Sequence, residues 1–339
     1  MIMLLFFSLF LLMFLLPFLP GIRELVQPQD SSPLHINMNY SKDPRYFGKS
    51  FRSILDKRLA TVDLQSDMQT VKLSKKEAVL FSANLTVPED SRINYVLYVT
   101  DNFVSRERCI FEKEIYTGGK ATVGDECEIR ALAADARVSL GNKTNVIRWV
   151  DSEEDITTGD ECDLGWSISC QKKLRIGSGS KFRRLFGMPV LTCKQDGDGY
   201  LPGHYTDIQD IGDTAFKTDS EWLIVPPSTK LNKVIIATQN LLIKYGCILK
   251  GDIKTYGNLI VEEGVRITGN VFAEKDVAIA AGTRILGNIF SQGTITIASQ
   301  TKIGRSGMIK SAVSRKEIVL GRGVSIFGYV LAGKKGRAS

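Results

Sequence analysis

Histidine is almost missing from this chain: its 339 residues include only His35 and His204. The six cysteines, Cys109, Cys127, Cys162, Cys170, Cys193 and Cys247, form no C-x-x-C pair. Together these absences leave poor material for a zinc site. A Walker A loop is also missing, because G-K-S at 48–50 has Asp43 where the first glycine should stand, so Lys49 reads as a basic flank. D-G-D-G at 196–199 lacks the closing glutamate of an EF-hand; Asp196, Asp198, Asp207, Asp210 and Asp213 read as a polar turn-forming loop. No long block of one charge occurs either. The net charge of +7 comes from 44 basic and 37 acidic residues scattered along the chain, a weak pull toward anionic surfaces. Arg183, Arg184, Lys334, Lys335 and Arg337 have no interleaved aromatic stacking groups in sequence, so they read as solvated and not as a nucleic-acid contact. Neither a cofactor nor a small-molecule substrate is expected.

What the first 20 residues lack is charge. MIMLLFFSLFLLMFLLPFLP is about as long as a helix that crosses a bilayer core. No Lys or Arg precedes the apolar run and no small-x-small cleavage site follows it, so an uncleaved anchor is expected over 1–20. Residues 21–60 carry seven basic and four acidic side chains, which places the body on the cytoplasmic side of the cell (inner) membrane. Residues 21–80, polar and holding Pro28, Pro33 and Pro44, read as a linker with LDKRLATVDLQ as a possible helix.

The informative feature is a repeat. From Ile248 the sequence falls into blocks of 18: ILKGDIKTYGNLIVEEGV, RITGNVFAEKDVAIAAGT, RILGNIFSQGTITIASQT. Their columns agree: Leu249, Ile267 and Ile285; Gly251, Gly269 and Gly287; Asp252, Asn270 and Asn288; Ile253, Val271 and Ile289. Apolar and polar residues alternate over short runs, the mark of half-buried strands, and Gly, Asn and Asp recur between them where a chain turns a corner. The register breaks at KIGRSGMIKSAV. A coil of this kind cannot bury its apolar face alone, but stacked coils share a core. At an offset of 138, LTVPEDSRINYVL at 85–97 matches LIVPPSTKLNKVI at 223–235, and Cys109 falls on Cys247. Two tandem solenoid units are therefore expected, at 81–190 and 221–333, the first with fewer corner glycines. A non-periodic insertion at 191–220, whose irregularity begins near 187, separates them, and 334–339 forms a basic tail. Cys109, Cys127 and Cys247 stand where valine or threonine stands in equivalent coils, so buried free thiols and a reducing compartment are expected.

WLIVPPSTKLNKVI followed by GNLIVEEGVRITGNVFAEKDVAIAAGTRILGNIF resembles the bactofilins, polymer-forming bacterial cytoskeletal proteins, over 221–333 and more loosely over 84–190. The resemblance implies an all-β, right-handed parallel β-helix and nucleotide-independent polymerisation by end-to-end stacking at the cytoplasmic membrane face. The expected function is thus that of a membrane-anchored scaffold, not an enzyme, with itself and envelope or cell-shape proteins as partners. A final coil with SIFGYVLAG offers Ile326, Phe327, Tyr329, Val330 and Leu331 as a polymerisation face, or Phe327 and Tyr329 as a plug for the core end.

The competing class is an enzyme on a β-helix, either a hexapeptide-type acyltransferase or a glycan-processing enzyme. Stepping by six from Leu249 gives Thr255, Val261, Ile267, Ala273, Ile279, Ile285 and Ser291, where every third position is small or polar and no histidine lies in the coils. Asp252 above Asn270 and Asn288 fits corner chemistry better than a catalytic carboxylate cluster.

Overall fold

The computed structural model describes residues 6–8, 10, 13, 16, 43–59, 69–72, 78–193, 217–218 and 221–339. The chain divides into two compact units, Met1–Asp43 and Pro44–Ser339. In the first, Phe6, Phe7, Ser8, Phe10 and Met13 are helical. Among the described residues no helix is long and apolar enough to cross a membrane. Most of the helix expected over 1–20 lies outside those residues, as do 21–42 and most of the insertion at 191–220.

Pro44–Ser339 holds a β-solenoid of about 13 turns with coils near 18 residues, and units one and two below are its two tandem halves. Every column read from the repeat is a parallel stack: Leu249 on Ile267 on Ile285 on Ile303, and Ile253 on Val271 on Ile289. Three short strands make one turn, as in Ile253–Thr255, Leu259–Val261 and Arg266–Ile267. Alternate side chains of each strand point inward and close a continuous apolar core.

Polar positions inside the coils have specific partners. Thr117, Ser152, Thr255 and Ser291 end a strand on the inside, and each hydroxyl donates to the carbonyl 16 residues earlier, at 2.5, 2.7, 2.6 and 2.5 Å. This is why the six-residue stepping meets small polar residues. Cys109 Sγ donates to Pro88 O at 3.1 Å and Cys247 Sγ to Pro226 O at 3.0 Å, so the 138-residue offset holds at the level of single bonds. In the same corner Thr229, Thr283 and Thr301 donate a hydroxyl, which is why cysteine and threonine alternate there. Asp252, Asn270 and Asn288 form a ladder in which each side-chain oxygen accepts the backbone N–H of the next coil, at 2.7, 3.0 and 2.9 Å.

One corner of each turn needs a left-handed backbone. Unit two supplies Gly246, Gly264 and Gly282 there, at φ of 69, 68 and 67°. Unit one places Asp90, Arg108, Glu126, Lys143 and Glu161 in the same conformation, at φ of 54–58°. A side chain there costs about 1 kcal/mol, and this glycine-poor corner is what makes the first unit look degenerate in sequence. Since nothing stands within 4 Å of a Cβ built on Gly264, Gly264→Ala is expected to lower stability by strain alone, about 1 kcal/mol. Lys143→Gly is expected to raise it by a similar amount or less, and urea denaturation midpoints check both.

Several boundaries differ from the sequence reading. The linker region contains a helix, α1, at Tyr46–Leu59, and a strand at Gln69–Lys72. α1 starts upstream of LDKRLATVDLQ and holds only the beginning of that stretch. Unit one continues to Thr192, past the point where periodicity fades, because Lys181–Thr192 is one long strand that rejoins the stack at Val190 after a step of 16 from Leu174. The supposed basic tail at 334–339 is mostly sheet: Ser325–Ala338 runs as a single 14-residue strand. The broken register in unit two is a 23-residue step from Ile289 to Ala312, with the added chain falling between Lys302–Ile303 and Lys310–Ser314.

Candidate functional site

The two units meet through their C-terminal coils. Lys181–Thr192 pairs antiparallel with Ser325–Ala338, placing Leu185 opposite Val330, Phe186 opposite Tyr329 and Val190 opposite Ile326. The Phe186 and Tyr329 rings lie 4.9 Å apart, and Leu185, Val330 and Ile326 have no exposure. One core therefore runs through both units. The junction reverses chain direction, so each unit's first coil faces outward.

Four of the five residues expected at a polymerisation face thus lie in an end contact, and its partner is the chain's own first unit. Ile326, Tyr329, Val330 and Leu331 pair across the junction with Val190, Phe186, Leu185 and Arg184. Phe327 is half-buried, with Lys302 Nζ 5.2 Å from its ring centre. Phe327 and Tyr329, the residues of the plug reading, are half-buried at alternate positions of the strand, and the side chains that enter the core beside them are Ile326 and Val330. The sequence could not show the end contact, because the partners are about 140 residues apart and the pairing has two register shifts.

The outward ends are open in part. Gln69–Lys72 lies antiparallel on Ala78–Ser82 at one end, and Lys217–Thr218 on Trp222–Val225 at the other. Among the described residues, the remaining strands of these first coils pair only toward the interior. They are Leu85–Val87 and Arg92–Ile93 in unit one, and Lys230–Leu231 and Ile235–Ala237 in unit two. An unpaired strand edge is a template for another strand. Beside the unit-two edge, Val234 and Ile236 are 60% and 62% exposed.

A third feature was not legible in sequence. Helix α1 lies on the outer face of unit one, turned toward Ala131, Ala133 and Trp149, with Phe51 edge-on to Trp149 at 5.7 Å. Its buried positions Gly48 and Leu55, with Phe51 and Arg52 half-buried and the buried Arg45 just before its first turn, follow helical spacing. At Gly48 any side chain would overlap the Asp151 carboxylate, so glycine permits the close approach. Arg45 grips Asp151 through two bonds of 2.9 Å and reaches Glu153 at 2.8 Å, while Arg52 bonds Asp135 at 2.7 Å and Asp151 at 2.5 Å. Asp151 is 1% exposed and also accepts from Ser169 at 2.8 Å. Burial by itself would lower the Arg45 pKa, but its bonds to Glu153 and Asp151 outweigh this and raise it. The Arg45 bond in turn holds Glu153 below the usual carboxylate range. The Tyr116 hydroxyl, half-buried and donating to Asp135 at 2.6 Å, is shifted upward by desolvation and by that carboxylate.

The six thiols are free, and five of them are buried. Burial pushes Cys170 up to about 12 and raises Cys109, Cys162, Cys193 and Cys247, so these groups stay protonated and are poor nucleophiles. Among the described residues no cluster of three His, Cys, Asp or Glu side chains could hold a metal.

No protein-family model, curated protein or solved structure matches the chain.

Proposed function

We propose that this protein is a bactofilin-like structural scaffold. On this reading the body is a right-handed β-helix, residues 1–20 tether it to the cytoplasmic face of the cell membrane, and it associates with further copies through its outward coil ends. Envelope or cell-shape proteins would be carried on the resulting assembly.

The observation that carries the reading is the arrangement of ends. Because the two C-terminal coils seal each other, the strand edges that stacking could extend among the described residues belong to the first coils, at Leu85–Val87 and Arg92–Ile93 and at Lys230–Leu231 and Ile235–Ala237. Stacking another coil there would pair those backbone groups and cover Val234 and Ile236. Relative to the sequence reading, the assembly surface moves from the last coil to the first ones. The corner Asn and Asp side chains are occupied in holding coils together, which suits a load-bearing part.

Negative-stain microscopy and sedimentation of residues 44–339 test this. Filaments or concentration-dependent oligomers are expected from the wild-type body, and smaller species from Val234→Arg with Ile236→Arg. A body that stays monomeric at all concentrations, or a double variant that assembles as well as wild type, overturns end-to-end assembly.

A further inference from the structure

The unit junction also builds a groove. About 420 Å³ in volume, it is lined by Trp166, Lys181, Arg183, Lys334 and Lys335, with Ile147 at its margin. Two of the cations come from the end of unit one and two from the last strand of unit two, joined only by the antiparallel pairing of Lys181–Thr192 with Ser325–Ala338. Arg183 stacks over the Trp166 ring at 4.3 Å and donates to Gly333 O at 3.0 Å, which fixes both side chains. The aromatic next to Arg183 in sequence, Phe182, is buried in the core; the fold brings an exposed one, Trp166, in from the preceding coil.

We infer that this groove is a contact site for an anionic lipid surface, so that the solenoid lies against the membrane and does not merely hang from it. Charge is the first reason. Four cations stand against one carboxylate, Asp163, in the lining. Among the described residues none of the four cations forms a salt bridge. Their attraction is thus available to phosphate groups. The second reason is the apolar rim. Trp166 is 61% exposed and Ile147 44% exposed. Tryptophan with an aliphatic neighbour, ringed by lysine and arginine, suits the boundary where acyl chains meet headgroups. A polyanion such as a nucleic acid or an acidic glycan would use the cations but would leave Ile147 in water.

This inference rests on the membrane-scaffold reading, and the two fail separately. The full chain is mixed with phosphatidylcholine vesicles, with and without phosphatidylglycerol. Retention on the neutral vesicles reads the N-terminal segment. Shielding of Trp166 from an aqueous quencher, obtained by difference from Trp166→Phe, reads the groove. Shielding is expected only on the anionic vesicles and is expected to fade at high salt. In Lys334→Glu with Lys335→Glu it should need at least about thirtyfold more anionic lipid, with retention on neutral vesicles and the unfolding midpoint unchanged. Equal shielding in the charge variant and the wild type overturns the inference. So does preferential binding of single-stranded DNA or heparin at the groove with no shielding on anionic vesicles.

Discussion

Asp151→Ala is expected to release helix α1 from the solenoid. Asp151 is the shared acceptor of Arg45 and Arg52, and the Arg45 side chain is only 6% exposed. Removing the carboxylate leaves two guanidinium groups against a low-dielectric sheet face, and breaking a buried pair on one side costs about 3–5 kcal/mol. Phe51 and Leu55 together would contribute about 3–6 kcal/mol if fully buried, and Phe51 is only half-buried, so a loss of this size leaves little to hold the helix. Trp149, 9% exposed beneath Phe51, should then shift its emission to the red, and trypsin should cut within 45–58. Replacing all three charges, with Arg45→Met, Arg52→Met and Asp151→Leu, should restore docking, because an apolar set of similar volume avoids the desolvation cost. A single variant that keeps the wild-type spectrum and protease resistance would show that the ion cluster is not what holds α1. Acid should weaken the same contact. Glu153 is held below its ordinary value of 4.5 by Arg45, so its contribution is present above that value and is lost as pH falls through the lower folded pKa. The Trp149 shift should therefore begin below about pH 4.5.

How much of this was legible in the sequence follows from spacing. Unit two keeps 18-residue steps from Leu223 to Ile295, so its columns align by eye. Unit one interleaves 17-residue steps, such as Ile115 to Leu132 and Ile168 to Leu185, and carries bulges at Phe111/Glu114 and Val146/Trp149. Those changes blur the period while leaving the stack intact. Helix α1 escaped because its packed face is built on Gly48 and Arg52, with Arg45 just before it, instead of an apolar stripe. A trace of it is nonetheless present: Ala131, Leu132, Ala133 and Ala134 are all buried in one strand, and a strand without polar alternation is covered on both faces. Truncating at residue 81, as the sequence boundaries suggest, would remove α1 and expose that face. The junction left no trace of this kind. The apolar residues of SIFGYVLAG suit a core end whether the neighbour is the same chain or another, and only the antiparallel register with Lys181–Thr192 distinguishes them.

Val330→Arg is expected to part the two units. Val330 is fully buried, stacked on Ala312 within its own unit and opposite Leu185 across the junction. An arginine there places an unpaired charge where its guanidinium has no acceptor, and a charge so placed is expelled from the core, not tolerated within it. Expulsion displaces Tyr329 from Phe186 and opens the last coil of each unit. A protease site introduced between Thr192 and Lys217 makes the effect readable. After cleavage, wild-type fragments should elute together, held by the antiparallel strand pairing and the shared core, whereas Val330→Arg fragments should separate or aggregate through newly freed edges. Tyr329→Ala removes the ring contact alone and should leave the fragments together with a lower unfolding midpoint, which guards against reading a general loss of fold as separation. If cleaved wild type falls apart at once, the tail-to-tail contact is weak. The C-terminal coils then become available for assembly between copies, and the open first coils lose their special standing.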